Sequence, residues 1–102
     1  MSIAQQTVGT GATAIYTSSG SSAITTVYLM NNDAGPVTVQ IHIVKNGESA
    51  TVSNKIKKDL AIAAADTYIL DTERVILDNG DSMQVSASVD AVIQATVSYI
   101  GV

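Results

Sequence analysis

The sequence has no cysteine, no tryptophan and no phenylalanine, and only one proline and one histidine. Without cysteine there can be no disulfide staple, no zinc–thiolate site and no cysteine nucleophile. A chain with no cysteine folds equally well inside or outside a cell, so the compartment is not readable from it. With four tyrosines as the only aromatics, the core must be built from Val, Ile, Leu, Met and Ala, and little of the large aromatic area common in binding pockets is at hand. Basic residues are scarce too: five, against nine acidic ones, for a net charge of -4. No basic stripe exists to grip a phosphate backbone, and no nucleic-acid partner is expected. Unbroken apolar runs such as Ala61 to Ala65 are far too short to span a bilayer. The segment Met1-Ser2-Ile3-Ala4-Gln5-Gln6 has no basic region leading into an apolar stretch, so no signal peptide is expected.

At 102 residues the chain is one domain, able to bury roughly two thirds of its unfolded surface. Residues 1–11 are polar and end in Gly9-Thr10-Gly11. They read as a loose arm, or as an edge strand ordered only by a partner, ahead of a domain over 12–102. Ala12 to Thr17 is a strand and Ser18 to Ser22 a flexible loop. Ala23 to Met30 is apolar on both faces, with Val27 and Leu29 on one and Ile24, Tyr28 and Met30 on the other. Such a strand is central in a covered sheet or keeps one face for a partner. After the turn Asn31 to Pro36, residues Val37, Val39, Ile41 and Ile43 point inward, while Thr38, Gln40 and His42 point outward.

Asn46-Gly47 is a hairpin signal. Residues 49–65 carry both helical spacing (Ile56, Leu60, Ala63) and alternation, and the all-β context favours two short strands or one bulged strand. Thr67–Leu70 and Arg74–Leu77 are strands separated by a turn at 71–73. Asp78-Asn79-Gly80-Asp81 fits a type I′ turn, in which both central residues take φ > 0. Met83, Val85, Ala87 and Val89, and beyond Asp90 the set Ala91, Ile93, Ala95, Val97 and Tyr99, point inward. The expected fold is all-β: a single antiparallel β-sandwich, jelly-roll-like, of seven to nine short strands without internal repeat.

Candidate chemistry is sparse. His42 lies among polar outward residues with no serine or acid placed beside it, so a solvated surface histidine is expected rather than a general base. Gly9-Thr10-Gly11-Ala12-Thr13-Ala14 matches the dinucleotide fingerprint, with Asp33 near the ribose-acid distance. However, it does not lead from a strand into a helix as that motif requires. Asp78, Asp81 and the Asn79 carbonyl could hold calcium, but turns attract Asp and Asn for their own hydrogen bonds. No catalytic residue, metal site or cofactor is expected. Lys55, Lys57 and Lys58 form the one basic cluster, which fits an edge strand guarded by charge and equally a contact with an acidic partner. The partner-contact candidates are Ile24, Tyr28, Met30, Lys55 and Lys57.

Three stretches together resemble the small β-sandwich virion proteins of tailed bacteriophages: Leu60 to Leu70, Arg74 to Val85, and the closing Val97-Ser98-Tyr99-Ile100. In both, an apolar strand is followed by a small-residue turn with an acid, a second apolar strand, a Gly-Asp turn and an alternating Ser/Ala/Val strand. Val27 to Asn32 and the Val37–Val44 strand fit the first half of the pattern, and the likeness covers most of residues 23–100. The resemblance implies a protein without catalytic residues, located in the virion and often a homotrimer. It would serve as a head decoration (cement) protein bound to the major capsid protein, or as a neck or tail accessory. A carbohydrate- or receptor-binding module is the reading from a different class, and it predicts tyrosines grouped and exposed on one face.

Overall fold

The computed structural model describes residues 2–70 and 75–101. The expected turn at 71–73 and the position of Arg74 lie outside them. The strands are β1 (Ser2–Val8), β2 (Thr13–Thr17), β3 (Ser22–Asn31), β4 (Val37–Val44), β5 (Lys55–Ile62), β6 (Thr67–Leu70), β7 (Val75–Leu77), β8 (Ser82–Ala87) and β9 (Ile93–Gly101). They form two antiparallel sheets. The first runs β1-β9-β3-β6, with β7 also paired to β3, and the second runs β2-β8-β4-β5. Successive strands alternate between sheets except at β4–β5 and β6–β7, the winding of a jelly roll. The eight strand positions are filled by nine strands because β6 and β7 share one: β6 pairs with Val27–Met30 of β3, and β7 with Ser22–Ile24.

The core lies between the sheets. Val8, Val27, Leu29, Ile93 and Val97 from the first sheet meet Val37, Val39, Ile41, Met83 and Val85 from the second, and all are buried. Period-two alternation delivers this packing, since every second side chain of a strand falls on the same face. Tyr16 of β2 and Tyr99 of β9 stack across the gap between sheets, ring centroids 4.2 Å apart.

Several expectations are corrected. Residues 2–8 are the expected edge strand and not a loose arm, and they are ordered within the chain itself and not by a partner. They pair with β9 over seven positions, Ser2↔Tyr99 to Val8↔Ile93, and Val8 is in the core. Ser18 and Ser22 are buried rather than in a loose loop: Ser18 Oγ lies 2.9 Å from Ser22 Oγ, which shares a 2.7 Å hydrogen bond with the Tyr16 hydroxyl. The ambiguous 49–65 segment resolves to the second of its two expected forms, one bulged strand, β5, with two register shifts against β4, preceded by a 3-10 turn at Val52–Asn54. Val89 and Ala91, expected inward, are exposed, because β8 ends at Ala87 and the chain turns there.

The turn at Asp78–Asp81 is not a hairpin. It carries the chain from β7 in the first sheet to β8 in the second. Gly80 has φ +86° but Asn79 does not take positive φ, so the turn is not type I′. Asn46-Gly47 likewise forms a turn closed by Glu48 N–H to Lys45 O, with only Gly47 at positive φ, inside a ten-residue connection from β4 to β5. Four of the crossings between sheets each hold one left-handed residue: Gly20 (β2 to β3), Ala65 (β5 to β6), Gly80 (β7 to β8) and Ala91 (β8 to β9).

Candidate functional site

A β-bulge decides which side chains β3 presents. The β3–β9 register shifts between Ile24 and Thr26, and Thr25 sits in the bulge with its hydroxyl donating toward Ser98. One extra residue inverts the facing of everything before it. Ile24 therefore joins Val27 and Leu29 in the core, 2% exposed, and is not available to a partner. Tyr28 and Met30, beyond the bulge, stay on the outer face, about two fifths exposed.

Strand register then brings together residues that lie far apart in sequence. Tyr28 stands between Ile69 of β6 and Thr96 of β9, and Thr96 beside Gln5 of β1. Met30 stands between Thr67 and Gln94. Ala23 stands between Ile76 of β7 and Ile100 of β9. Ile3 lies opposite Ser98. Six exposed large apolar side chains thus share one sheet face: Ile3, Tyr28, Met30, Ile69, Ile76 and Ile100. Ile76 is 61% exposed and Ile69 48%. Between them lie Gln5, Thr7, Thr26, Thr67, Gln94, Thr96 and Ser98. No strand of this sheet contains a charged residue. Isolated exposed hydrophobes are ordinary, but six on one sheet face whose strands hold no charge mark a candidate interaction surface.

The outer face of the second sheet is built differently. All charged residues within described strands are on its edge strand, β5: Lys55, Lys57, Lys58 and Asp59. Two register shifts twist β5, and Asp59 takes φ +51°, with Gln40 holding it through Gln40 Nε2 to Asp59 Oδ1 (2.6 Å) and Asp59 N to Gln40 Oε1 (3.0 Å). Lysines and bulges are how an edge strand is kept from pairing with a foreign chain. Lys57 is exposed and Lys55 half-buried.

His42 is not solvated. Its place in β4 is outward, between Gln84 and Lys55, yet it is only 6% exposed. Val44 and Ser82, on the same side by register, are buried with it, and the Val52–Asn54 turn packs against β4. Asn54 braces that segment by accepting from Thr51 N–H and donating to Ser49 O. Burial pulls the imidazole below its ordinary value, with the Lys55 ammonium adding to the effect. Among the described residues His42 Nδ1 has no hydrogen-bond partner, and no serine or carboxylate bonds to the ring.

The remaining motifs are structural. Both oxygens of Asp81 accept backbone N–H groups, from Asn46 (2.9 Å) and Asp78 (3.0 Å), and Asn79 Oδ1 accepts from Gly20 N–H. The glycine-containing run at 9–14 joins strand to strand, with Thr13 Oγ1 accepting from Gly9 N–H. Among the described residues no three of His, Asp and Glu come together to hold a metal ion. Tyr16 is buried, Tyr68 and Tyr99 are half-buried, and Tyr28 alone is well exposed, so the tyrosines form no exposed group.

The sequence reading missed the buried Asn31, whose Nδ2 lies 3.0–3.2 Å from the carbonyls of Gly35, Ile62 and Ala63. It also missed the apolar face as a whole. The available signal was that, apart from Arg74, charges fall in turns and at Lys45–Asp59, leaving the other described strands neutral. No protein-family model, curated protein or solved structure matches this chain.

Proposed function

We propose that this chain is a structural protein of a phage virion, acting by docking a preformed surface and catalysing no reaction. The observation that carries the docking part is the uncharged outer face of the five-stranded sheet, with its six exposed apolar side chains. The only histidine is buried without a catalytic partner, and the best-placed carboxylate, Asp81, is spent on backbone N–H groups. The virion part rests on the resemblance of residues 23–100 to small phage β-sandwich proteins, whose decoration members bind the assembled head, often as trimers. Such a protein stabilises the shell by mass action, since it binds the assembled state and not the free subunits. Repetition over many copies multiplies a modest site energy.

A neck or tail accessory is the alternative within the same class. The tyrosine placement lends no support to a sugar-binding platform. The test is to locate the chain on purified virions with an antibody and to co-sediment the purified protein with assembled heads. High copy number on the head and co-sedimentation are expected. A low copy number set by a ring at the neck would favour the alternative, and absence from every particle would overturn the virion reading.

A further inference from the structure

We infer that the outer face of the five-stranded sheet is a self-association surface, and that its occupant is a second copy of this chain. The assignment rests on the docking reading above but does not depend on the virion. The first argument is charge. The chain carries a net charge of -4, so two copies repel wherever their acidic surfaces meet. This face is where they would not: no strand of the sheet holds a charged residue. The nearest described acids in sequence, Asp33, Asp66, Asp78 and Asp90, lie outside the strands, just beyond their ends. A foreign partner is commonly selected and oriented by complementary charge, and the described strands of this sheet offer none. Depletion of charge, with large apolar side chains set among uncharged polar ones, is compatible with a homo-oligomer contact.

The second argument is size. Four strands abreast at ~4.8 Å and nine residues along β9 at ~3.3 Å give a face of roughly 500–600 Å² in plan. Side-chain relief adds to that, bringing it near the ~800 Å² per partner of a standard interface. The third argument is contrast. On the second sheet His42, Val44 and Ser82 are buried on the outer side, where the Val52–Asn54 turn packs against β4, and lysines guard the edge, whereas no segment among the described residues covers Ile69, Ile76 or Tyr28.

The experiment is sedimentation equilibrium of the full chain from micromolar to millimolar concentration, with two variants, Ile69→Lys and Tyr28→Lys. Val52→Lys is the control, at an exposed apolar residue of the 3-10 turn. A defined oligomer is expected for the wild type and the control. Association weaker by about tenfold or more is expected for each face variant, because a buried uncompensated charge is placed at a contact centre. Unchanged circular dichroism and thermal midpoint at dilute concentration establish that the variants fold. Since the chain lacks cysteine, Thr96→Cys with a short bis-maleimide should yield a covalent dimer, and Val52→Cys should not. A wild type that stays monomeric at millimolar concentration overturns the proposal, as does an oligomer indifferent to both face variants. Head binding by such a monomer would leave the virion reading standing alone, whereas self-association without head binding would leave this one.

Discussion

The two sheets contribute equally to the core and differ on their outer sides. Inward, each alternates Val, Ile, Leu, Met and Ala in the way a sandwich requires. Outward, the β2-β8-β4-β5 sheet is charged at its edge and packed by the Val52–Asn54 turn, while the described strands of the β1-β9-β3-β6 sheet carry no charge and expose six large apolar side chains among polar ones. Folding explains the inward set on both sheets and the guarded edge of one. It does not explain six exposed large apolar residues on the other, because their burial adds nothing to the isolated chain. The difference separates residues that hold the fold from residues kept for a contact.

Neighbours on β3 give the strongest test of that separation. Leu29→Ala removes a fully buried side chain and should cost about 2–5 kcal/mol, whereas Tyr28→Thr should stay within about 0.5 kcal/mol, as exposed substitutions do. Urea denaturation at dilute concentration measures both, and equal losses would show that Tyr28 belongs to the fold. The seams between the sheets come next. Gly80→Val should cost about 2–3 kcal/mol, from positive φ and from a clash. A Cβ there would lie 2.5 Å from Asn46 Cγ, in a turn that hydrogen-bonds Ser18 and Asp81 together. A thermal midpoint unchanged from wild type would refute this account of the turn.

The covered end of the second sheet should respond to pH. His42 titrates below its ordinary 6.5 in the folded chain because it is buried, and near 6.5 when unfolded. The unfolded state then binds more protons between those two values, so stability is full above about 6.5 and falls as pH drops from there through the folded value. Urea midpoints at about pH 7.5 and 5 should show this fall, and His42→Gln should flatten it; an identical fall in the variant would place its origin elsewhere. The smallest expected effect is a gain. Ala65 takes φ +59° in the turn from β5 to β6, where its amide neighbour Asp66 N–H bonds Ala63 O. Ala65→Gly should raise stability by a few tenths to about 1 kcal/mol by relieving the left-handed alanine, read as a rise in thermal midpoint; a drop would mean that backbone entropy outweighs the relief.

Much of this fold was legible in the chain. Alternation at Val37–Ile41 and Met83–Ala87 places those residues inward because a strand has period two, whatever its partner. The clustering of Asp, Asn and Gly at 31–36 and 78–81 marks turns because those residues tolerate turn backbones. Legibility ended where distant segments meet. Whether Asp78–Asp81 closes a hairpin or crosses between sheets depends on which strand β8 finds, and its partners β2 and β4 are some 40 to 70 residues away. Ile24 left the outer face because of a bulge that only the β3–β9 register creates. His42 was expected in water because its alternation phase is outward, and that phase is correct; it is buried all the same, on the side of β4 where the Val52–Asn54 turn packs.

Composition and periodicity by themselves determined an all-β sandwich with a core of aliphatic residues, since those properties are local and additive along the chain. The tertiary structure decided the jelly-roll order, the burial of His42, and the joining of Ile3, Tyr28, Ile69, Ile76 and Ile100 into one surface. Those five residues come from five strands, and nothing short of strand pairing puts them side by side.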